Sequence, residues 1–297
     1  MVVVFGSINL DLVAQVDRIP VAGETLAGRT FGTAPGGKGA NQALAAKRAG
    51  AQVRMFGAVG RDAFAADVLA NLEAGGVDLS GVIATELPTG VALIHVDARG
   101  ENAITVIAGA NGNVSAEQVP DALLEPETTL VLQLEVLRFE IERLVRRTRS
   151  ARVILNAAPA MALPEELLRR VGTLIVNETE AAAIGVAIGL PTTPNAFAQA
   201  ASARFGNAVV VTLGARGALA VCDKQAISIT APATTVVDTT GAGDALVGAF
   251  AAALDRGTSL REALAEGVAA GTLACGHFGA QAGMPAQDAI RVLAATL

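Results

Sequence analysis

The stretch Asp238-Thr239-Thr240-Gly241-Ala242-Gly243-Asp244 joins a carboxylate to a glycine-rich turn and then to a long apolar segment. Its surroundings read as a strand over Thr234 to Val237 and a helix from about Ala245 to Asp255, stopped by Gly257. Small residues at 241–243 let the backbone turn sharply and aim its N–H groups outward. A helix N-terminus adds partial positive charge, so the turn suits a phosphoryl group. Asp244 stands beside it as a candidate base for a hydroxyl proton. An anion hole next to a base points to phosphoryl transfer to an alcohol. The same seven residues also fit a plain turn opening a buried helix, so alone they leave the choice open.

Composition narrows the setting. The chain has 297 residues, 52% hydrophobic and 17% charged, enough for one large α/β unit with a sizeable core. The longest apolar stretches, such as Ala245 to Leu254, are too short to cross a bilayer. The sequence starts at once with the strand Val2 to Phe5 and shows no basic n-region, so the expected location is cytoplasmic, with no membrane partner. Cys222 and Cys275 lack metal-ligand spacing and read as free buried thiols. A net charge of −6 and the absence of Trp and Tyr argue against a nucleic-acid partner. The basic cluster Arg143, Arg146, Arg147, Arg149 and Arg152 reads as a solvated helix end.

Short apolar runs alternate with helical patterns along most of the chain. Strands are expected at 2–6, 52–58, 129–134, 152–156, 173–176 and 208–213. Helices are expected at 38–49, 62–74, 139–149, 165–171, 195–205, 245–255 and 261–275. This alternation implies an α/β fold with a mostly parallel central sheet covered by helices on both faces. Ligands of such sheets bind beyond the carboxyl ends of the strands. Candidate site residues fall at expected strand ends: Asn9 and Asp11, Glu135, Asn177 and Glu180, Thr212 and Gly214, then Asp238. Residues 12–35 and 88–108 break the pattern and read as hairpins forming a small β-sheet lid on a single domain spanning 1–297. An uncovered apolar lid face would suit a homodimer contact. Asp62 reads as the cap of the following helix.

Two nucleotide motifs are excluded. Gly32 to Lys38 nearly fits a P-loop, but Gly39 replaces the magnesium-binding Ser or Thr, and no buried strand precedes it. No Gly-x-Gly-x-x-Gly follows the first strand, which removes a dinucleotide-binding dehydrogenase. Gly36-Gly37-Lys38-Gly39-Ala40-Asn41 offers instead close backbone approach plus the polar side chains of Lys38 and Asn41. With Asn9, Asp11 and Glu135 it makes the mixture of donors and acceptors that recognises polyols. His95 and His277 have no metal spacing, and no histidine metal site is expected.

Gly36 to Asn41 with Gly50 and Gly60, together with Asp238 to Asp244, resembles both signatures of the ribokinase-like (PfkB) carbohydrate kinases. The likeness extends through Gly6 to Asp11, Pro20 with Gly23 to Thr25, Thr89 to Ala92, Asn156 to Pro159, Asn177 to Glu180 and Thr212 to Gly217. It implies transfer of the γ-phosphoryl group of ATP to a sugar, D-ribose first among candidates. Asn9, Asp11, Gly37, Lys38, Asn41 and Glu135 match sugar-binding positions, and Asp244 matches the base. Gly241, Ala242 and Gly243 match the anion hole. Asn177 and Glu180 match a motif associated with Mg2+ and the phosphates, and Thr212, Leu213, Gly214, Ala215, Arg216 and Gly217 match the nucleotide loop. Asp238 and the Thr240 carbonyl match a K+ site, completed by the region of Ala274, His277, Gly279 and Gly283. The resemblance also implies a homodimer through the lid.

Three departures stand out. Val247 replaces an amide expected near the nucleotide, Val268 lies where Asn or His often flanks adenine, and Gly283 replaces a Ser of the cation site. The alternatives within the family are kinases of a nucleoside, deoxyribose, a ketohexose or a sugar acid. A catalytically silent sugar sensor is the alternative outside it, and intact Asp244 and Gly241–Gly243 count against that reading.

Overall fold

The computed structural model of the protein describes residues 1–148 and 150–297; Arg149, one of the basic cluster, lies outside the described residues. The chain opens with β1 (Val2–Phe5), β2 (Asn9–Gln15), β3 (Thr30–Gly36), α1 (Lys38–Arg48), β4 (Val53–Gly60), α2 (Phe64–Ala74) and β5 (Asp78–Thr85). Next come β6 (Gly90–Val96), β7 (Asn102–Ile107), β8 (Thr129–Gln133), α3 (Arg138–Arg147), β9 (Arg152–Asn156), α4 (Glu165–Arg170), β10 (Thr173–Asn177) and α5 (Glu178–Ile188). The remainder is α6 (Pro194–Phe205), β11 (Ala208–Thr212), β12 (Ala218–Cys222), β13 (Gln225–Ile229), α7 (Ala242–Asp255), α8 (Leu260–Ala274) and α9 (Gln287–Ala294).

Nine strands form the central sheet in the order β13-β12-β11-β10-β9-β8-β1-β4-β5. Pairing is parallel from β11 through β5 and antiparallel at β12 and β13. Strand side chains alternate between two cores. Val2, Val4, Val131, Ile154 and Val210 join one core with α1, α7 and α8; Val3, Phe5, Leu132, Leu155 and Val211 join the other with α3, α4 and α6. Burial on both faces explains why these strands read as nearly continuous apolar runs. Among the described residues, no helix is long and apolar enough to cross a membrane.

A second sheet, in the order β3-β2-β6-β7, supplies the lid. It begins at Asn9 rather than at residue 12, and residues 16–29 between β2 and β3 form no strand. Asn9 and Asp11 therefore belong to the lid strand β2 and not to the end of β1. No strand forms at 234–237, which is an irregular connection, so Asp238 does not follow a strand end. The reason is backbone pairing: the Val237 and Asp238 N–H groups both bond to the Cys275 carbonyl instead of a ladder. Helix α7 starts at Ala242, three residues before the expected 245, because the glycine-rich turn itself enters the helix. Both cysteines are free but only half-buried.

Five elements escaped the pattern: β5, α5, β12, β13 and α9. β5 mixes polar and apolar residues and shifts register against β4 between Arg54 and Phe56, which blurs its period. The basic cluster is paired with acids: Arg143 with Glu117 and Glu140, Arg146 with Glu142, and Arg147 with Asp121. Asp62 accepts N–H bonds from Phe64 and Ala65 at the start of α2, and also from Thr89.

Candidate active site

Asp244 lies in the first turn of α7 and is only 7% exposed. The turn before it needs glycine at 241, where φ is 78° and an added Cβ would sit 2.8 Å from the Ala280 backbone. No side chain caps α7; the Ala242 N–H bonds to the Thr239 carbonyl at 3.2 Å, and no side chain takes the N–H groups that follow. Asp244 Oδ2 accepts from Asn41 Nδ2 at 3.0 Å, and Oδ1 accepts from Gln42 Nε2 at 2.8 Å. Both donors stand on α1, which packs directly against α7. At Gly248 an added Cβ would come within 2.7 Å of the Ala46 nitrogen, so the absence of a side chain sets this close approach.

The acceptor side gathers groups from four parts of the chain. Lys38 opens α1 after Gly37, and Glu135 follows β8 and accepts from the Lys38 N–H at 3.0 Å and from Ser7 Oγ at 2.6 Å. A carboxylate at a helix N-terminus is favoured by the dipole. Asn9 is buried, and its Oδ1 accepts from Asn111 Nδ2 at 2.7 Å. Asn111 also accepts from the Ile8 N–H at 2.9 Å and donates to the Ile8 carbonyl at 3.1 Å, which fixes its own amide. Burial, then the Glu135 and Asp244 carboxylates, push Asp11 up to about 7, with Lys38 opposing. The Asp244 carboxylate pushes the Lys38 ammonium up against burial, helped by Glu135, Glu180 and Asp11. All four carboxyl groups, Asp11, Glu135, Glu180 and Asp244, act electrostatically on Lys38.

On the other side of Asp244 lies a cleft of about 630 Å³. Thr212, Gly214, Ala215 and Gly217 form one wall, and Ala242 and Gly243 bring the helix start to it. Leu213 packs toward the core, and Arg216 turns to solvent and pairs with Glu178. Val268 lines the cleft, but Val247 is 1% exposed and packs in the core, so the departure at 247 does not bear on the cleft. Asn177 and Glu180 form a capping box on α5, with Asn177 Oδ1 accepting from the Glu180 N–H at 2.7 Å and Glu180 Oε2 from the Asn177 N–H at 2.8 Å. Burial pushes Glu180 up, against the Asn177 N–H and Lys38.

A loop junction flanks the start of α7. Asp238 accepts from the Thr240 N–H at 2.9 Å, Thr240 Oγ1 at 2.7 Å and the Gly279 N–H at 2.9 Å. Burial alone would raise Asp238, but these bonds outweigh it and hold the carboxyl below its usual range. A Cβ on Gly283 would lie 3.0 Å from the Ala274 carbonyl and 3.3 Å from that of Gly279, with the His277 Cβ at 3.4 Å. One carboxylate with several carbonyls is a hard-oxygen set that fits a monovalent cation and not a soft metal. Among the described residues, no group of three or more His, Cys, Asp or Glu is arranged to hold a metal ion.

Five side chains of this region went unread as site residues: Gln42, Asn111, Gln133, Gln281 and Ser7. Ser7 lies in the Gly6 to Asp11 motif without a role of its own, and Gln42 and Gln133 are marked only as polar residues inside apolar segments.

A buried carboxylate between a glycine-rich helix start and a polar pocket fits a kinase of small alcohols. Residues 1–287 match the profile of the pfkB family of carbohydrate kinases. The chain is 36% identical over 295 residues to the ribokinase of Bacillus subtilis (strain 168), covering 98% of each. It superposes on the crystal structure of ribokinase from Thermotoga maritima with a TM-score of 0.90 at 33% identity, covering 98% of each chain. Against Arabidopsis thaliana ribokinase complexed with ribose and ATP, the TM-score is 0.88 at 32% identity, covering 99% of this chain and 98% of that one. The chain belongs to the pfkB family of carbohydrate kinases.

Proposed function

We propose that this kinase carries out the ribokinase reaction, converting D-ribose and ATP to D-ribose 5-phosphate and ADP. The observation that carries this reading is the place of Asp244. Asn41 reaches it from the acceptor pocket, while Gly243 beside it borders the cleft. Asn9, Asp11, Gly37, Lys38, Asn41 and Glu135 orient the sugar hydroxyls. Asp244 takes the proton of the primary hydroxyl as that oxygen bonds to the γ-phosphorus and the bond to the ADP oxygen breaks. The N–H groups of Gly241, Ala242 and Gly243 meet the charge that develops on the phosphoryl oxygens.

ATP occupies the cleft against the loop Thr212 to Gly217, with Leu213 and Arg216 contributing backbone only. Mg2+ supplies charge neutralisation on the phosphates, and Glu180 and Asn177 are the residues that would face it. Asp238, the Thr240 carbonyl and the carbonyls of Ala274, His277, Gly279 and Gly283 would hold K+. The whole chain acts as one unit, and the lid pairs with that of a second copy. In support of this pairing, Ile104 and Val106 lie on the lid face that also bears Asp11, Ala92 and Ile94, and they are 53% and 51% exposed.

The test is a coupled ADP-release assay with Mg-ATP and a sugar panel, run in potassium and then in sodium. D-ribose-dependent turnover that falls in sodium is the expected result. Preference for another acceptor would replace the substrate, and sugar binding without turnover would favour a sensor.

A further inference from the structure

A chain of buried amides ends on the base, and its direction is dictated by the carboxylate. Asp244 Oδ1 accepts only, so Gln42 must turn its Nε2 toward it, at 2.8 Å. That leaves Gln42 Oε1 facing Gln133, which must answer with its own Nε2, at 2.7 Å. Gln133 Oε1 is then left buried with no hydrogen-bond partner among the described residues, in the space a Cβ on Gly6 would need. Gln42 Nε2 also donates to Asn156 Oδ1 at 3.0 Å, and Asn156 Nδ2 bonds in turn to the Ile175 carbonyl at 3.2 Å. Gln42, Gln133 and Asn156 come from α1, β8 and β9, so two neighbouring strands of the rigid sheet hold the Gln42 amide in one plane.

An unpartnered buried acceptor costs stability. Apolar residues at 42 and 133 would avoid that cost, so a network kept with an orphaned oxygen calls for another reason. We propose that Gln42 is a positioning residue for the reaction: locked by Gln133 and Asn156, its amide fixes the plane of the Asp244 carboxylate. The second oxygen is held separately. Asn41 Nδ2 donates to Oδ2, while Asn41 Oδ1 accepts from Gln281 Nε2 at 3.2 Å and Gln281 Oε1 from Asn71 Nδ2 at 3.1 Å. With Gln42 removed, the carboxylate stays tethered through Oδ2 but is free to rotate about that bond. A base turned out of line slows the chemical step without changing what binds the sugar or the nucleotide.

The inference rests on Asp244 being the base, and Asp244→Asn is measured alongside. The variants are Gln42→Met, Gln133→Met and the double substitution, each with thermal unfolding, kcat and both KM values. Expected is a kcat loss of roughly 10- to 100-fold in Gln42→Met, with sugar and ATP KM within about threefold of the parent. Gln133→Met lowers kcat less, and the double variant matches Gln42→Met, because Gln133 acts only through Gln42. Retained kcat in Gln42→Met, parallel rises in both KM, or a double loss equal to the product of the single losses would each overturn the proposal. Should Gln42→Met not fold, an unchanged kcat in Gln133→Met overturns it equally. An active Asp244→Asn removes the assigned base itself. An inactive Asp244→Asn beside an unimpaired Gln42→Met removes only the role given to Gln42.

Discussion

Asp11 carries a pH response of its own, because burial, then the Glu135 and Asp244 carboxylates, raise it from 3.8 to about 7. A raised carboxyl favours its protonated form in the folded apoprotein. Its contribution to stability is therefore full below pH 3.8 and lost as pH rises through about 7. Relative to Asp11→Asn, the parent should lose thermal stability across that window, as unfolding midpoints against pH will show. In the proposed role the ionised Asp11 carboxylate accepts from the sugar hydroxyls, so the KM for sugar should fall as pH rises through about 7 and lose this step in Asp11→Asn. For Asp244→Asn, turnover should drop by about 10²–10⁴-fold while calorimetry still detects sugar binding. Asn9, Asp11, Lys38, Asn41 and Asp244 were legible as candidates because each is a polar residue inside a motif, and Glu135 because it follows an apolar strand. Gln42 and Asn111 were not, because their roles lie in which amide atom faces which neighbour.

The contact of α1 with α7 brings Asn41 and Gln42 to Asp244. Gly248 permits it, since a Cβ there would come 2.5 Å from the Ala45 Cβ and 2.7 Å from the Ala46 nitrogen. Gly248→Val should therefore cost about 1–3 kcal/mol, measured by denaturant unfolding, through overpacking. It should also lower kcat in the fraction that remains folded, because Asn41 and Gln42 would no longer reach Asp244. The existence of both helices was legible from their small apolar residues. Their contact was not, because a helical pattern shows which face is buried but not what meets it. The strand expected at 234–237 failed for a related reason. Its β-branched residues suit a ladder, but they pair with no strand among the described residues, and the Cys275 carbonyl takes the Val237 N–H.

At the scale of the whole molecule, the proposed pairing of lids would join assembly to catalysis. Asp11 projects from the face that also carries Ile104 and Val106, so a second copy covering those residues would close off the acceptor pocket. Val106→Asp should yield a monomer in sedimentation analysis, with a raised KM for sugar and unchanged thermal unfolding at high dilution. The amino-acid sequence by itself determined the alternating α/β plan, the separate lid and the candidates for base, anion hole and acceptor pocket. Each of these rests on local periodicity or on a short run of residues whose chemistry travels with it. Only the tertiary structure decided that Asn9 and Asp11 belong to the lid. It alone put Val247 in the core and joined Gln42, Gln133 and Asn156 behind Asp244. Hydrogen-bond partners from 91 to 202 positions apart leave no mark in local sequence, because what selects them is the packing of α1 on the sheet and on α7.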